Sequence, residues 1–248
     1  MKNTPMGFRF SWDDKTVGTS VLLAQVDEER RSVYMGAVEQ YCSDIQSNKK
    51  VLYTPARLLY LDEWGPIRYA MNSAAVCLMA SDLTADLHAA KRYHNWSQSQ
   101  VDYVLGAKSN GYSYMVGYGS KYPRRPHHRA ASCPLDMSKV CNYSSALEKD
   151  DNPTVHWGAV VGGPDRHDGF KDDRLYYKQS EVALDFNAGF QLATTGVMYH
   201  KLFGMSRDIY QVTPEVMSTP AFNTTAPPVT VQSGALACSF SIIFILLV

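Results

Sequence analysis

The 248-residue sequence has no surplus of either charge: Lys plus Arg number 24 and Asp plus Glu number 24, for a formal net charge of +0. That balance excludes a global attraction to nucleic acid, so polyanion binding would have to rest on a local patch, and an uncharged substrate fits best. The five cysteines, Cys42, Cys77, Cys133, Cys141 and Cys238, contain no C-x-x-C pair, so the common zinc and thioredoxin-like spacings are missing. No apolar run reaches the about 20 residues an ordinary membrane span needs. The opening residues, MKNTPMGFRFSWDDK, lack the apolar core of a signal peptide. Strand-like alternation is almost absent, as are sequence repeats at the periods of about 20 to 50 residues that mark solenoids.

What is present suits a helical globular chain. Apolar residues make up 45%, enough for a real core in one large domain or two small ones. The spacing predicts a short helix over 16–26 (TVGTSVLLAQV) and a second over 28–46 through Val33, Val38, Tyr41, Cys42 and Ile45. Residues 49–64 read as a loop returning to the domain's working face. Pro66 then suits the first turn of a helix carrying Ile67, Ala70, Ala74, Val76, Cys77 and Leu78. A longer helical region runs from Ser81 to Leu105, with a break expected near Asn95 and Gly106 as its C-cap. Residues 107–155 show no period and read as a functional loop. The last helix is expected to start behind a Ser180 cap and run through Val182, Phe186, Phe190, Ala193, Val197 and Leu202. The total is about six helices, an all-α chain.

Cys77 reads as simply buried, whereas Cys133 and Cys141, in CPLDMSKVC, suit a short disulfide in a secreted protein. Asn95, Asn142 and Asn223 open glycosylation sequons. Residues 205–235 are rich in Thr, Pro and Ser and read as a linker, and 236–248 (LACSFSIIFILLV) form a short hydrophobic tail. Small residues at Asn223, Thr224 and Thr225, a spacer and that tail fit a lipid-anchor signal; the alternative is a frayed or misassigned end.

Two stretches gather groups with chemistry. Residues 152–187 place Asp165, Asp168, Asp172, Asp173 and Glu181 beside Tyr176, Tyr177 and Phe186. Carboxylates among aromatic rings are what acid/base work on a sugar requires, although a solvated acidic loop with a capped helix behind it has the same composition. Residues 113–129, SYMVGYGSKYPRRPHHR, collect bases and tyrosines, but the balanced total charge argues against a nucleic-acid site. A zinc site from His127, His128, Cys133 and Cys141 would match none of the common spacings.

The segment 113–129 resembles the histidine signature of the family 9 glycoside hydrolases, the endoglucanases or cellulases, at Ser113, Met115, Val116, Gly119, Lys121, Pro126, His127 and Arg129. The acidic stretch is similar to the family's second signature at Phe170, Asp172, Tyr177, Glu181, Ala183, Asn187 and Ala188. FSWDDK (10–15) and YLDEWGPIRYA (60–70) are also similar to it, so the resemblance covers about residues 8–204.

The resemblance implies an (α/α)6 barrel with the substrate cleft across loops at one end. This chain, with about six of the family's twelve helices, would be the carboxyl-terminal half, in residues 1–204, of a secreted endo-β-1,4-glucanase. It implies that Glu181 is the general acid of an inverting hydrolysis, with His127 and Arg129 binding the sugar beside the cleaved bond and Asp172 supporting the loop and the acid. Trp12, Trp64, Arg68 and Tyr69 would line the cleft, with Phe186 where many relatives carry Tyr. An inverting enzyme needs a second carboxylate about 6.5–9.5 Å away to activate water. The family takes it from an Asp-Ala-Gly-Asp segment, and no DAGD occurs here. The partner implied is a β-glucan and not nucleic acid; no cofactor is implied, and calcium is left open. The location implied is extracellular, with attachment to the membrane if the tail is a GPI-type anchor signal. The alternative is an inactive fragment or a non-catalytic carbohydrate-binding surface protein. At the expected helix start, the dipole would favour the Glu181 carboxylate. To work as an acid near neutral pH, Glu181 would need desolvation by Phe186 and Tyr177 and repulsion from Asp185 to win.

Overall fold

Helix α3, Pro66–Leu83, is the element on which the other long helices pack. It is buried along nearly its whole length, with small residues Ala70, Ala74 and Ala75 letting neighbours approach. The structure, a computed structural model, describes residues 6–47, 51–108 and 111–204. The linker and tail from residue 205 onward, with Cys238 and the Asn223 sequon, lie outside the described residues.

A 3-10 turn at Met6–Phe8 precedes α1, Thr16–Val26, and α2, Arg31–Gln46. A two-stranded antiparallel ribbon follows, β1 Leu52–Tyr53 and β2 Leu59–Tyr60, with Leu52 opposite Tyr60. After α3 come α4, Leu87–Val104, the one-turn helices α5, Arg129–Ser132, α6, Tyr143–Leu147, and α7, Tyr177–Ser180, and finally α8, Leu184–Phe203. Helices α1 and α2 pack together, α3 and α4 do the same, and α8 lies against α3 and α4. The buried side chain of Gln100 in α4 closes the ribbon's turn, accepting from Leu59 N (2.9 Å) and donating to Arg57 O (3.0 Å). This is how a polar residue is tolerated in the core.

Three expectations need correction. The break between the third and fourth helices falls at 84–86, and Asn95 is mid-helix. Asp86 caps α4 by accepting from His88 N (2.8 Å) and Ala89 N (3.2 Å), satisfying donors a helix start leaves open. The last helix begins at Leu184 without a Ser180 cap, because Glu181 and Val182 are extended and bridge to His127 and Val161. Cys77 is bonded to Cys42, joining α3 to α2 with a Cα separation of 5.7 Å. The loop reading of 107–155 holds apart from α5, α6 and isolated bridges such as Met115–Val160.

Three helices also meet through polar groups. His94 of α4 and His200 of α8 share an Nδ1–Nδ1 hydrogen bond of 2.8 Å, and His200 Nε2 lies 2.9 Å from Asp82 Oδ1 of α3. One of the two facing nitrogens must be unprotonated to accept. Burial and the neighbouring His200 lower the His94 pKa below its ordinary 6.5, against the opposing pull of Asp82. The unfolded chain therefore binds this proton more readily, so stability is full above about pH 6.5 and falls as pH drops toward the lowered folded value. Melting temperatures measured from pH 8 to 5 should decline on the acid side, and His94→Gln should flatten that decline; an unchanged slope in the variant would discount the pair.

Candidate active site

The two signature segments are held together by peptide groups. Val116 N donates to Ala159 O (2.9 Å) and Gly158 N to Val116 O (2.9 Å), so the histidine segment lies along residues 158–163. On the other side of that strand-like run, Gly162 N donates to Glu181 O (2.9 Å) and Gly163 N to Gln179 O (2.9 Å). His127 N then donates to Ser180 O at 2.8 Å, closing the circuit. A Cβ on Gly162 would stand 2.6 Å from Lys178 O, so the close approach requires glycine. Glu181 and His127 are thus neighbours although 54 positions separate them.

The Glu181 carboxyl Oε2 accepts from Trp64 Nε1 at 2.6 Å. The Trp64 ring, 43% exposed, meets Tyr177 edge-on at 5.0 Å and 66°. The loop bearing Trp64 is secured to α7 by Gly65 N to Lys178 O (3.0 Å) and by a Lys178–Glu63 ion pair. Glu181 follows α7 as its C-cap residue, with extended backbone. The expected helix-start environment is therefore not the one it occupies.

The Nδ1 of His127 sits 2.6 Å from the Arg174 carbonyl oxygen. A carbonyl only accepts, so the proton is on Nδ1 and Nε2 is presented by an exposed ring. Asp172 acts on the same loop from behind: its two oxygens accept from Arg124 N (2.7 Å) and Arg125 N (2.9 Å). It is a positioning residue for the segment that delivers His127 and Arg129.

Arg68 donates to Asp185 Oδ2 (3.0 Å) and to the Tyr69 hydroxyl (2.9 Å), so the Asp185 charge is taken up by a cation. Tyr69 is buried, which raises its hydroxyl pKa. Phe186 is 1% exposed, its ring packed under Gly65 and beneath the Arg68 guanidinium at 5.2 Å. In this structure Phe186 holds up the Trp64 turn and offers no face to a sugar, which corrects its expected place in the cleft lining. Trp12 and Arg129 are exposed, and Asn72 Nδ2 to Phe10 O (3.0 Å) ties the segment carrying Trp12 to α3.

The structure adds one residue that sequence reasoning missed. Arg174 is buried, with Nε donating to Asn152 Oδ1 (2.8 Å), Nη1 to Glu148 O (2.6 Å) and Nη2 to Asp150 O (2.6 Å). Burial lowers its pKa, and these acceptors hold its cation in place. It gathers the 145–152 loop behind His127. Its setting in DDRLYY (172–177) carried only the ordinary look of a surface charge. The zinc alternative loses its ligands: Cys133 and Cys141 are bonded to each other, and His128 accepts from Ala131 N (3.2 Å) as the cap of α5. Among the described residues no group of three or more His, Cys, Asp or Glu is placed to hold a metal.

Comparison with known proteins gives this geometry its setting. Endoglucanase 21 of Arabidopsis thaliana is 33% identical over 246 residues, which is 88% of this chain and 40% of the plant protein. The endoglucanase of the termite Nasutitermes takasagoensis superposes with a TM-score of 0.68 at 38% identity, covering 77% of this chain and 44% of the termite one. Endoglucanase CelQ of Clostridium thermocellum, solved with cellotetraose, gives 0.66 at 31% identity, covering 89% and 34%. The chain therefore spans less than half the length of these relatives, as part of an (α/α)6 barrel would. The sequence profile described as glycosyl hydrolase family 9 matches residues 1–194, and with it the chain belongs to that family.

Proposed function

We propose that this chain is the carboxyl-terminal half of an endo-β-1,4-glucanase that cleaves internal bonds of cellulose or a related β-glucan with inversion. The observation that carries the reading is the Glu181 carboxyl, held at 2.6 Å by the Trp64 indole between exposed aromatic rings. Protonated, Glu181 gives its proton to the departing glycosidic oxygen as the bond to the anomeric carbon breaks. Water attacks from the opposite face, losing its proton to a second carboxylate about 6.5–9.5 Å away. That base is supplied by the part of the domain that this chain does not span. Arg129 donates to the sugar beside the cleaved bond, where charge-assisted hydrogen bonds strengthen as charge develops, and His127 Nε2 accepts from a hydroxyl of the same sugar. The names of the relatives and the cellotetraose bound to CelQ support the substrate class. Two disulfides support a secreted protein.

With one carboxylate of the pair, the chain by itself is a binder. A reducing-sugar assay on carboxymethylcellulose should show no turnover by the isolated 248-residue chain, and restored turnover when an amino-terminal family 9 half is supplied. Sugar release that persists in Glu181→Gln would overturn the assignment.

A further inference from the structure

Away from Glu181, the histidine segment builds a second aromatic surface that the reaction does not use. Trp157 is 69% exposed, yet its ring is fixed: one edge lies on Gly117, where an added Cβ would overlap Cε3 and where φ is 84°. Tyr122 stands beside it, ring centroids 6.3 Å apart at 47°, with the Arg124 guanidinium stacked 3.9 Å over the Tyr122 ring. His156, just before Trp157, packs edge-on against His128 at 4.4 Å. A shallow pocket next to the indole is lined by Val116, Tyr122, Arg124, Asp151, Thr154 and His156.

An immobilised ring with an open face, a pocket beside it and both donors and acceptors at the rim fits a pyranose, whose faces are apolar and whose edge is hydroxyl. Trp157 also shares the loop layer of Glu181. It opens the run whose Gly162 N–H bonds to Glu181 O, five residues on and so at most about 17 Å away. Asn187 of α8 holds this spacing, donating to Gly158 O (2.8 Å) and accepting from Val160 N (3.0 Å).

We propose that Trp157, with Tyr122 and Arg124, forms a remote glycosyl-binding subsite that grips the β-glucan several sugars from the bond to be cleaved. The proposal rests on the reading of the substrate as a β-glucan.

Calorimetric titration of the full chain with cellotriose and cellohexaose tests it. Cellohexaose should bind about tenfold more tightly, the scale of one good added contact. Trp157→Ala should erase that advantage and leave cellotriose affinity unchanged, which also reports that the variant is folded. Trp157→Phe should retain most of it. Equal affinities in the native chain, or a length advantage that survives Trp157→Ala, would overturn the subsite and leave the Glu181 reading standing. If neither sugar binds the native chain, both readings fall. If Trp157→Ala binds neither, Trp157→Leu decides: loss of the length advantage with normal cellotriose binding supports the subsite, and an advantage that survives overturns it.

Discussion

Exchanging Glu181 for Gln should slow glucan hydrolysis by the assembled domain about a thousandfold, within the range that a positioned general acid contributes. The amide oxygen of Gln can still accept the Trp64 indole N–H that Glu181 Oε2 accepts at 2.6 Å, so the side chain should keep its place. The loss should fall on kcat and leave KM nearly unchanged, as expected when an interaction exists only in the transition state. Substrates whose leaving group departs without protonation, such as nitrophenyl cellosides, should be far less affected, which separates loss of the acid from loss of the base. A Glu181→Gln rate within tenfold of the native one on cello-oligosaccharides would remove Glu181 from this role.

Removing the Cys42–Cys77 bond should be the costliest single change to stability. It closes a loop with a sequence separation of 35, which chain-entropy reasoning values at about 3–4 kcal/mol. For a domain of this size that corresponds to a melting temperature lower by about 10 °C in the Cys42→Ala/Cys77→Ala variant. Both sulfurs are fully buried between α2 and α3, so no neighbouring group replaces the link. Thiol titration of native material should find neither cysteine reactive before unfolding, and after unfolding without reductant. Free thiols there would count against both the link and an oxidising compartment.

How far the sequence was readable depended on the range of the forces involved. Helix α1 was legible from end to end, and Pro66 marked the start of α3, because these signals are local. The Asp86 cap was also legible in principle, but the apolar pattern on both sides masked it. The start of α8 was not legible, since the pairing of Glu181 with His127 and Val182 with Val161 comes from segments far away in sequence and overrides the helical spacing. Cys42 and Cys77 carried no spacing signal, and Cys77 looked like any small residue in a buried helix. Glu181 and His127 were visible as signature residues and Trp64 in a separate similar segment, and the structure brings the three together. The roles of Phe186, which is buried, and of Arg174, which gathers a loop, depended on burial that one sequence does not encode locally.

The peptide-bonded run at 158–163 has an evolutionary consequence. Glu181 and His127 take their relative positions from amide hydrogens and carbonyl oxygens, which every residue except proline supplies in full. Side chains around them can therefore change while Glu181 and His127 stay in register. Proline at Gly162, Gly163 or His127, each a backbone donor in this circuit, is the class of change that such drift cannot absorb.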